Sequence, residues 1–261
     1  MSNLTVDTLR EHVGPTTVLR EYEVFPEIDS TNTYVRERAD APEGLVVVAE
    51  YQTAGRGRQG RAWVAPRGTA IHCSVLLRPP LPRAKLFLLT ASCAVAVRDV
   101  LASVVGSDVE LKWPNDVLVG RRKVCGILTE VELRSREHPR VVLGFGVNVH
   151  AAPPPEIAPQ ATCVAEHSHA PVTRLGLLAA ILRRYDSALA ALYGGQYEAA
   201  WEEWRQSLST RGQRVQVSGE HGSIQGLALD VAPDGGLILE AEPDGVPTVV
   251  YAGEAIEQTA K

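Results

Sequence analysis

Four arginines and three glycines stand within one short stretch of sequence that holds no acidic residue. The stretch runs from Gln52 to Arg67, between two apolar runs, and is called the Arg-Gly loop below; the whole chain carries a formal net charge of −5. Guanidinium groups bind phosphate or carboxylate through paired hydrogen bonds, and glycines let backbone N–H groups approach an anion. The composition is typical of an anion-binding loop, with Arg56, Arg58, Arg61 and Arg67 as its cations.

Two other interpretations of the Arg-Gly loop stay open on the residues alone. One is a solvated loop with charged side chains. The other is an RGG-like nucleic-acid-binding segment, although such segments usually recur in low-complexity surroundings and this one occurs once. The GxGxxG pattern from Gly55 to Gly60 is weak evidence for a dinucleotide fold, because Ala62 to Pro66 does not read as a helix and a Walker lysine is missing.

A second basic cluster lies further along the chain and supports the anion-binding interpretation. Residues Lys112 to Asp116 read K-W-P-N-D, called the KWPND turn below, and Lys123 opens the next apolar run. A lysine that ends one strand and a lysine that starts another can face one cleft. An exposed hairpin with solvated Arg121, Arg122 and Lys123 is the alternative.

The elements that must position these residues read as strands and helices in alternation. Asp29 to Asn32 has the signature of a helix start. Gly144 and Gly146 within one strand indicate a bulge or a close backbone approach. The expected strands cover 44–49, 70–77, 109–113, 117–119, 123–128 and 141–149, and the expected helices cover 85–105, 175–193 and 197–208.

After the segment Ser209 to Gly212 the sequence changes to short apolar runs separated by Asp-Gly turns, which predicts a small β-meander or barrel. We therefore expect an α+β chain whose mixed or antiparallel sheet packs against helices. The expected domains are a larger one at 1–208 and a small β-barrel at 209–261.

Composition excludes several classes of protein. The net charge of −5 and a pI near 5.8 argue against a general nucleic-acid binder. No signal peptide is recognisable, and the apolar stretches are shorter than the ~20 residues of a membrane span or are interrupted by charge. A cytoplasmic protein is the expectation. No metal site is expected, and the cysteines are expected as buried thiols at Cys73, Cys93, Cys125 and Cys163.

Six segments, in this order, resemble those of the biotin protein ligase family across roughly residues 25 to 255. They are Asp29–Asn32, Gln52–Arg61, Lys112–Asp116, Lys123–Leu128, Gly144–Asn148 and Ala252–Glu254. The resemblance implies the class II synthetase-like fold of biotin and lipoate ligases with a C-terminal SH3-like barrel. It also implies a two-step reaction, in which biotin and ATP form biotinyl-5′-AMP and the biotinyl group then passes to a lysine of a biotin carboxyl carrier domain.

The resemblance also implies roles for individual residues. Lys123 and Arg58 match the catalytic positions. Biotin contacts are implied for Ser30, Thr31, Asn32, Gln52, Arg56, Arg58, Lys123 and Gly126. Nucleotide contacts are implied for Arg56, Arg58, Gly60, Arg61, Trp63, Lys112, Asn115, Lys123 and Asn148. ATP with Mg²⁺ and biotin are the implied substrates, with no tightly bound prosthetic group and no dedicated metal ligands.

Other expectations concern partners and departures from the family pattern. The few residues before Asp29 are too short for a helix-turn-helix domain, so we expect a monofunctional ligase that binds neither DNA nor membrane. The resemblance allows a weak homodimer. Ala252 stands where a glycine is common, which leaves the role of Glu254 open. The alternatives are a lipoate or octanoate ligase or transferase of the same fold, and a nucleic-acid-binding module that uses the Arg-Gly loop.

Overall fold

The larger sheet has seven strands, with order β1-β2-β3-β7-β6-β5-β4. Strands β1 and β2 are parallel, and every other neighbouring pair is antiparallel, so the sheet is mixed as expected. The computed structural model describes residues 4–105, 108–132, 139–219, 222–251 and 253–257. The strands are β1 Glu21–Phe25, β2 Leu45–Ala49, β3 Ala70–Leu77, β4 Val109–Lys112, β5 Asp116–Val119, β6 Arg122–Glu132 and β7 Arg140–Asn148.

Strands β2, β3 and β7 are buried along their whole length because other elements cover both faces of the sheet. Strand β7 pairs in unbroken register with β3 and β6. Its glycines therefore mark a close approach rather than a bulge. A Cβ on Gly144 would lie 2.8 Å from Asn32 Cγ, and a Cβ on Gly146 would lie 2.6 Å from Trp63 Cζ2.

The described residues form five α-helices: α1 Val6–Val13, α2 Thr31–Glu37, α3 Phe87–Val105, α4 Arg174–Tyr193 and α5 Tyr197–Gln206. Helix α2 begins where the sequence predicts it, and Ser30 Oγ accepts a hydrogen bond from Thr33 N–H at 3.4 Å. Helix α3 begins two residues after the expected Lys85, because a short 3₁₀ turn, Arg83–Lys85, precedes it.

Helix α3 lies in the core against α4 and α5. Contrary to the expectation from sequence, the segment Arg83–Val105 is apolar enough to span a membrane, with mean hydropathy 1.8. Other parts of the chain bury 61% of that window, as in the core helix of a globular domain. The cysteines Cys73, Cys93, Cys125 and Cys163 are buried and unbridged, as predicted.

A second sheet of five antiparallel strands follows, with order β11-β10-β9-β8-β12. The strands are β8 Arg214–Gly219, β9 Gly222–Val231, β10 Leu237–Ala241, β11 Val246–Val250 and β12 Glu254–Glu257. This sheet docks on the KWPND turn. Trp113 Nε1 donates to Gly235 O at 3.0 Å, and Trp113 N–H donates to Thr210 Oγ1 at 3.0 Å. Both sheets contribute to one hydrophobic core.

Candidate active site

A cavity of about 140 Å³ lies over one face of the larger sheet. The Arg-Gly loop, the start of α2, the KWPND turn and strands β6 and β7 supply its walls. Most side chains that the sequence singled out line this cavity: Ser30, Thr31, Asn32, Gln52, Arg56, Arg58, Arg61, Trp63, Lys112, Asn115, Lys123 and Gly126.

The Arg-Gly loop folds back on itself beside the cavity. Gly57 N–H donates to Arg61 O at 2.7 Å, and Trp63 N–H donates to Gly55 O at 2.9 Å. A Cβ on Gly55 would overlap the backbone oxygen of Trp63, so the close approach of these two segments of the loop requires a glycine. The arginines therefore project from a turn that is anchored at both ends.

The cavity has a floor of glycines on which the Trp63 ring rests. A Cβ on Gly146 would lie 2.6 Å from Trp63 Cζ2, and a Cβ on Gly126 would lie 3.2 Å from both Trp63 Cζ3 and Lys123 Nζ. Any larger residue would push the indole and the ammonium away from the sheet. Two glycines on neighbouring strands thus make room for an aromatic ring and a cation side by side.

One end of the cavity carries a network of uncharged polar groups. Thr31 donates to Gln52 Oε1 from its backbone N–H at 2.8 Å and from its hydroxyl at 3.0 Å. Ser74 Oγ lies 2.7 Å from Thr31 Oγ1 and 2.6 Å from Asn32 Oδ1. These donors and acceptors fit a neutral ligand group that both donates and accepts hydrogen bonds.

His72 is a buried residue that contacts this network through Gln52. Its Nδ1 lies 3.3 Å from Gln52 Nε2, and because the amide nitrogen is a donor, the imidazole nitrogen accepts. Burial lowers the pKa of His72 to about 4, and the nearby Arg174 adds to the effect. The ring is therefore neutral at pH 7. The sequence analysis named neither His72 nor Ser74, although two polar residues at alternate positions of an apolar strand were the available signal.

Arg58 and Lys123 both line the charged part of the cavity. Arg58 Nη1 donates to Asn115 Oδ1 at 2.9 Å, and Lys123 Nζ forms an ion pair with Asp116 Oδ1 at 2.6 Å. Asn115 is itself fixed, because its Nδ2 donates to Ile127 O at 2.6 Å. Two consecutive residues of the KWPND turn thus bring the two cations to one cavity.

The other arginines of the loop behave differently. Arg56 forms a bidentate pair with Glu130, with Nη1 3.0 Å from Oε1 and Nη2 2.7 Å from Oε2. Arg61 donates to Gln59 Oε1 at 3.1 Å on the exposed side of the loop. Arg67 pairs with Glu27 and does not line the cavity. The sequence did not show which of these arginines face the cavity, because all carry the same charge. It also did not identify Glu130 as a partner of Arg56.

Asn148 lies in an adjoining cavity of about 620 Å³, which shares Trp63, Lys112 and Lys123 with the first. Its Nδ2 donates to Thr162 O at 3.0 Å. Gly60 lines neither cavity and has a φ of 72° in the turn Arg58–Gly60.

The structure describes only part of Ala252–Glu254, the last of the six segments that resemble the biotin protein ligase family. Gly253 lines the first cavity, whereas Ala252 and the side chain of Glu254 lie outside the described residues. Among the residues that the structure describes, no group of three or more His, Cys, Asp or Glu could hold a metal ion.

The arrangement suits a small acid with a neutral polar head. The polar network would hold the head, Ile127, Leu128 and Phe145 would contact an apolar body, and Arg58 and Lys123 would face an anionic end. The adjoining cavity, with its aromatic and basic walls, leaves room for a second anionic substrate.

Comparison with known proteins gives a consistent family assignment. Residues 24–148 match the model of the biotin/lipoate A/B protein ligase family, and residues 210–256 match the biotin protein ligase C-terminal domain. The chain is 34% identical to the biotin--[acetyl-CoA-carboxylase] ligase of Mycobacterium tuberculosis, over 94% of this chain and 91% of that protein. It is 32% identical to the bifunctional ligase/repressor BirA of Bacillus spizizenii, over 91% of this chain and 74% of that protein.

Solved structures agree with the sequence relatives. The biotin protein ligase of Aquifex aeolicus in complex with biotin and ATP has a TM-score of 0.79 and 27% identity, covering 92% of this chain and all of that one. The chain therefore belongs to the biotin/lipoate A/B protein ligase family and, within it, to the biotin protein ligases.

Proposed function

We propose that this chain joins biotin and ATP into biotinyl-5′-AMP, with release of pyrophosphate, and then transfers the biotinyl group to a lysine of a carrier protein. One observation carries the proposal. Arg58 comes from the loop between β2 and β3, Lys123 comes from strand β6, and both line the same cavity. Both can therefore face the carboxylate of biotin and the α-phosphate of ATP.

The first step needs cations because two anions must react. An oxygen of the biotin carboxylate attacks the α-phosphorus, and the bond from phosphorus to the pyrophosphate oxygen breaks. At ~4 Å and an effective dielectric constant near 20, each pair of like charges repels by about 4 kcal/mol. The ammonium of Lys123 and the guanidinium of Arg58 offset this repulsion and stabilise the charge of the transition state.

The uncharged end of the cavity would bind the ureido ring of biotin. That ring has two N–H donors and one carbonyl acceptor, so it needs polar partners in a mostly apolar pocket. Ser30, Thr31 and Gln52 supply hydroxyl, backbone and amide groups there. Gly126 lines the cavity and makes room beside the ligand for the side chains of Lys123 and Trp63. Asn32 completes the same wall through its contact with Ser74.

The adjoining cavity would bind the nucleotide. Trp63 offers an aromatic face for adenine, and Asn148 offers an amide at the wall of the cavity. Lys112 and Arg61 line this cavity and would supply cations to the triphosphate oxygens. The turn at Gly60 lies outside the cavity and would approach the phosphates only when the loop closes. Magnesium would arrive with ATP as part of the substrate.

The second step uses a neutral amine. The carrier lysine attacks the acyl carbon of the mixed anhydride, AMP leaves, and the attacking nitrogen loses a proton. Before that attack the anhydride must be kept from water. The Arg-Gly loop, with Arg56 and Arg58, would close over the adenylate and exclude water.

The name of the Mycobacterium tuberculosis relative states that it acts on acetyl-CoA carboxylase. A biotin carboxyl carrier domain of such a carboxylase is therefore the proposed acceptor. A cytoplasmic location, action without DNA or membrane, a weak homodimer and a domain boundary near residue 209 are also proposals. The described change of sheet at that point supports the boundary.

The test is ATP–pyrophosphate exchange measured with biotin, with lipoate and without an acid. Exchange that biotin stimulates and lipoate does not would support the proposal, and transfer of labelled biotin to an apo-carrier domain would extend it to the second step. Stimulation by lipoate alone would favour the lipoate ligase. Steeply salt-dependent binding of RNA or DNA without any exchange would favour the nucleic-acid-binding module.

A further inference from the structure

We propose that Glu130 is a positioning residue that withdraws Arg56 from anion binding and uses it to fasten the Arg-Gly loop to helix α2. The inference rests on the proposed function and deepens it by dividing the work of two neighbouring arginines. Arg56 holds the loop against the biotin end of the cavity, and Arg58 is the arginine that meets the reacting anions.

The contact between Glu130 and Arg56 is bidentate and partly buried. The two oxygens of Glu130 lie 3.0 and 2.7 Å from Arg56 Nη1 and Nη2. The side chains are 24% and 32% exposed, respectively. Two parallel charge-assisted hydrogen bonds fix both the position and the plane of a guanidinium group. A second anion would have to break this pair before it could bind Arg56 in the same way.

Glu130 also binds helix α2. Asn32 Nδ2 donates to Glu130 Oε2 at 2.9 Å, and Arg36 Nη1 lies 3.6 Å from Glu130 Oε1. One carboxylate of strand β6 therefore joins the loop and the helix that together form the biotin end of the cavity. Asn32 and Arg56 line that cavity, whereas Glu130 does not, so Glu130 acts through its partners.

Arg58 contacts the KWPND turn. Its Nη1 is held by the amide oxygen of Asn115, an uncharged acceptor, beside the ion pair of Lys123 and Asp116. Binding of an anion at Arg58 would therefore leave intact the bidentate contact that Glu130 makes with Arg56.

Replacing Glu130 by glutamine should change the affinity for biotin in opposite directions, depending on whether Arg56 fastens the loop or binds an anion. If Glu130 fastens the loop, Glu130→Gln loosens Arg56 and Asn32, and biotin binding weakens by about tenfold while kcat of exchange changes less than about threefold. If Arg56 is an anion ligand that Glu130 merely masks, the freed guanidinium strengthens biotin binding.

Strand β6 supplies a matched control. Glu132 lies two positions along the same strand and therefore on the same face. Its Oε2 lies 3.1 Å from Nη1 of Arg140, in another partly buried ion pair that does not line the cavity. Glu132→Gln removes the same charge from the same strand and is expected to lower the unfolding midpoint without changing the affinity for biotin.

The experiment is calorimetric titration of biotin into wild type, Glu130→Gln, Arg56→Gln, the double variant and Glu132→Gln, with exchange kinetics and unfolding midpoints. We expect Glu130→Gln and Arg56→Gln each to bind biotin about tenfold more weakly than wild type. The double variant should be within about threefold of either one, because both changes break the same contact. Glu130→Asp keeps the charge and is expected to stay within about threefold of wild type.

Biotin affinity of Glu130→Gln equal to or tighter than wild type overturns the proposal, as do fully additive losses in the double variant. An equal loss of affinity in Glu132→Gln overturns it too, because the effect would then be a general loss of stability. Failure of wild type to bind biotin is a separate result, which contradicts the proposed function itself.

Discussion

Arg58 and Lys123 are held at one cavity by consecutive residues of the KWPND turn. Asn115 accepts a hydrogen bond from Arg58 at 2.9 Å, and Asp116 pairs with Lys123 at 2.6 Å. Arg58 from the loop and Lys123 from the strand are therefore both held by the KWPND turn, and a movement of this turn would displace both side chains. Several consequences of this coupling can be measured.

Removal of Lys123 tests the charge at the reacting centre. Lys123→Ala is expected to reduce biotin-dependent ATP–pyrophosphate exchange by at least ~100-fold, the loss typical of one donor that stabilises a developing anion. Lys85→Ala is the control, since Lys85 Nζ donates to Pro233 O at 2.9 Å, away from the cavity. Near-normal exchange in Lys123→Ala would contradict the assigned role.

Arg58→Gly tests the retention of the adenylate. The variant is expected to form biotinyl-5′-AMP but to release it faster than wild type, because the loop loses the side chain that reaches Asn115. Rapid filtration of labelled adenylate measures the release rate. Arg67→Gly adds the same flexibility outside the cavity, where Arg67 pairs with Glu27, and should retain the adenylate. Equal retention by wild type and Arg58→Gly would refute the assignment.

Gly146→Ala tests the glycine floor. The added Cβ would lie 2.6 Å from Trp63 Cζ2, so the indole must lift from the sheet. The KM for ATP is expected to rise by about tenfold, which corresponds to about 1.4 kcal/mol of lost binding. Gly194→Ala, whose Cβ would come only to 3.4 Å from backbone oxygens, is the control. An unchanged KM for ATP in Gly146→Ala would show that Trp63 does not contribute to nucleotide binding.

Trp113→Phe tests whether the small sheet supports the active site. The change removes the hydrogen bond from Trp113 Nε1 to Gly235 O and leaves a gap, which should lower the free energy of unfolding by about 2 kcal/mol. Exchange activity should also fall, because the same turn holds Arg58 and Lys123. Denaturant unfolding and exchange kinetics measure the two effects.

The control for Trp113→Phe is Trp201→Phe. Trp201 Nε1 donates to Ala232 O at 3.1 Å, a similar bond to the same segment that does not involve the KWPND turn. It should destabilise the protein and leave kcat unchanged. Equal losses of activity in the two variants would show that stability alone is responsible.

His72 predicts a dependence of stability on pH. Its pKa is lowered from 6.5 to about 4, first by burial and then by Arg174, whereas Glu50 acts in the opposite direction. Below pH 6.5 the unfolded chain binds the proton and the folded chain does not, so this contribution to stability is complete above pH 6.5. It is lost as the pH falls towards 4, by about 3 kcal/mol in total.

His72→Asn offers the comparison. Asparagine keeps an acceptor near the position of Nδ1 for Gln52 Nε2 but does not titrate. The free energy of unfolding, measured from pH 7 to pH 4, should therefore fall less steeply in His72→Asn than in wild type. Parallel pH profiles would show that His72 does not carry the effect.

The sequence predicted the frame of the site well because its signals are local. Three features follow from spacing over a few residues: the serine cap of α2, the close approach at Gly144 and Gly146, and the β5–β6 hairpin, whose second strand carries Lys123. The core helices α3, α4 and α5 and the second sheet were recovered for the same reason. Helix α1 and strand β1, whose parallel pairing with β2 makes the larger sheet mixed, were not predicted.

The division among the arginines could not be predicted. Arg56, Arg58 and Arg67 are similar in sequence, and what separates them is a distant partner in each case: Glu130, Asn115 and Glu27. Loops lack the periodicity that assigns a side chain to a face. His72 and Ser74 were missed because their strand is otherwise apolar and reads as core.

The most direct test of the central claim is a crystal structure with biotinyl-5′-AMP or with biotin and ATP. We expect Arg58 and Lys123 to lie about 3 Å from oxygens of the acyl phosphate, with the ureido ring beside Thr31 and Gln52. A ligand bound with its phosphate away from both cations, or bound outside the shared cavity, would contradict the account.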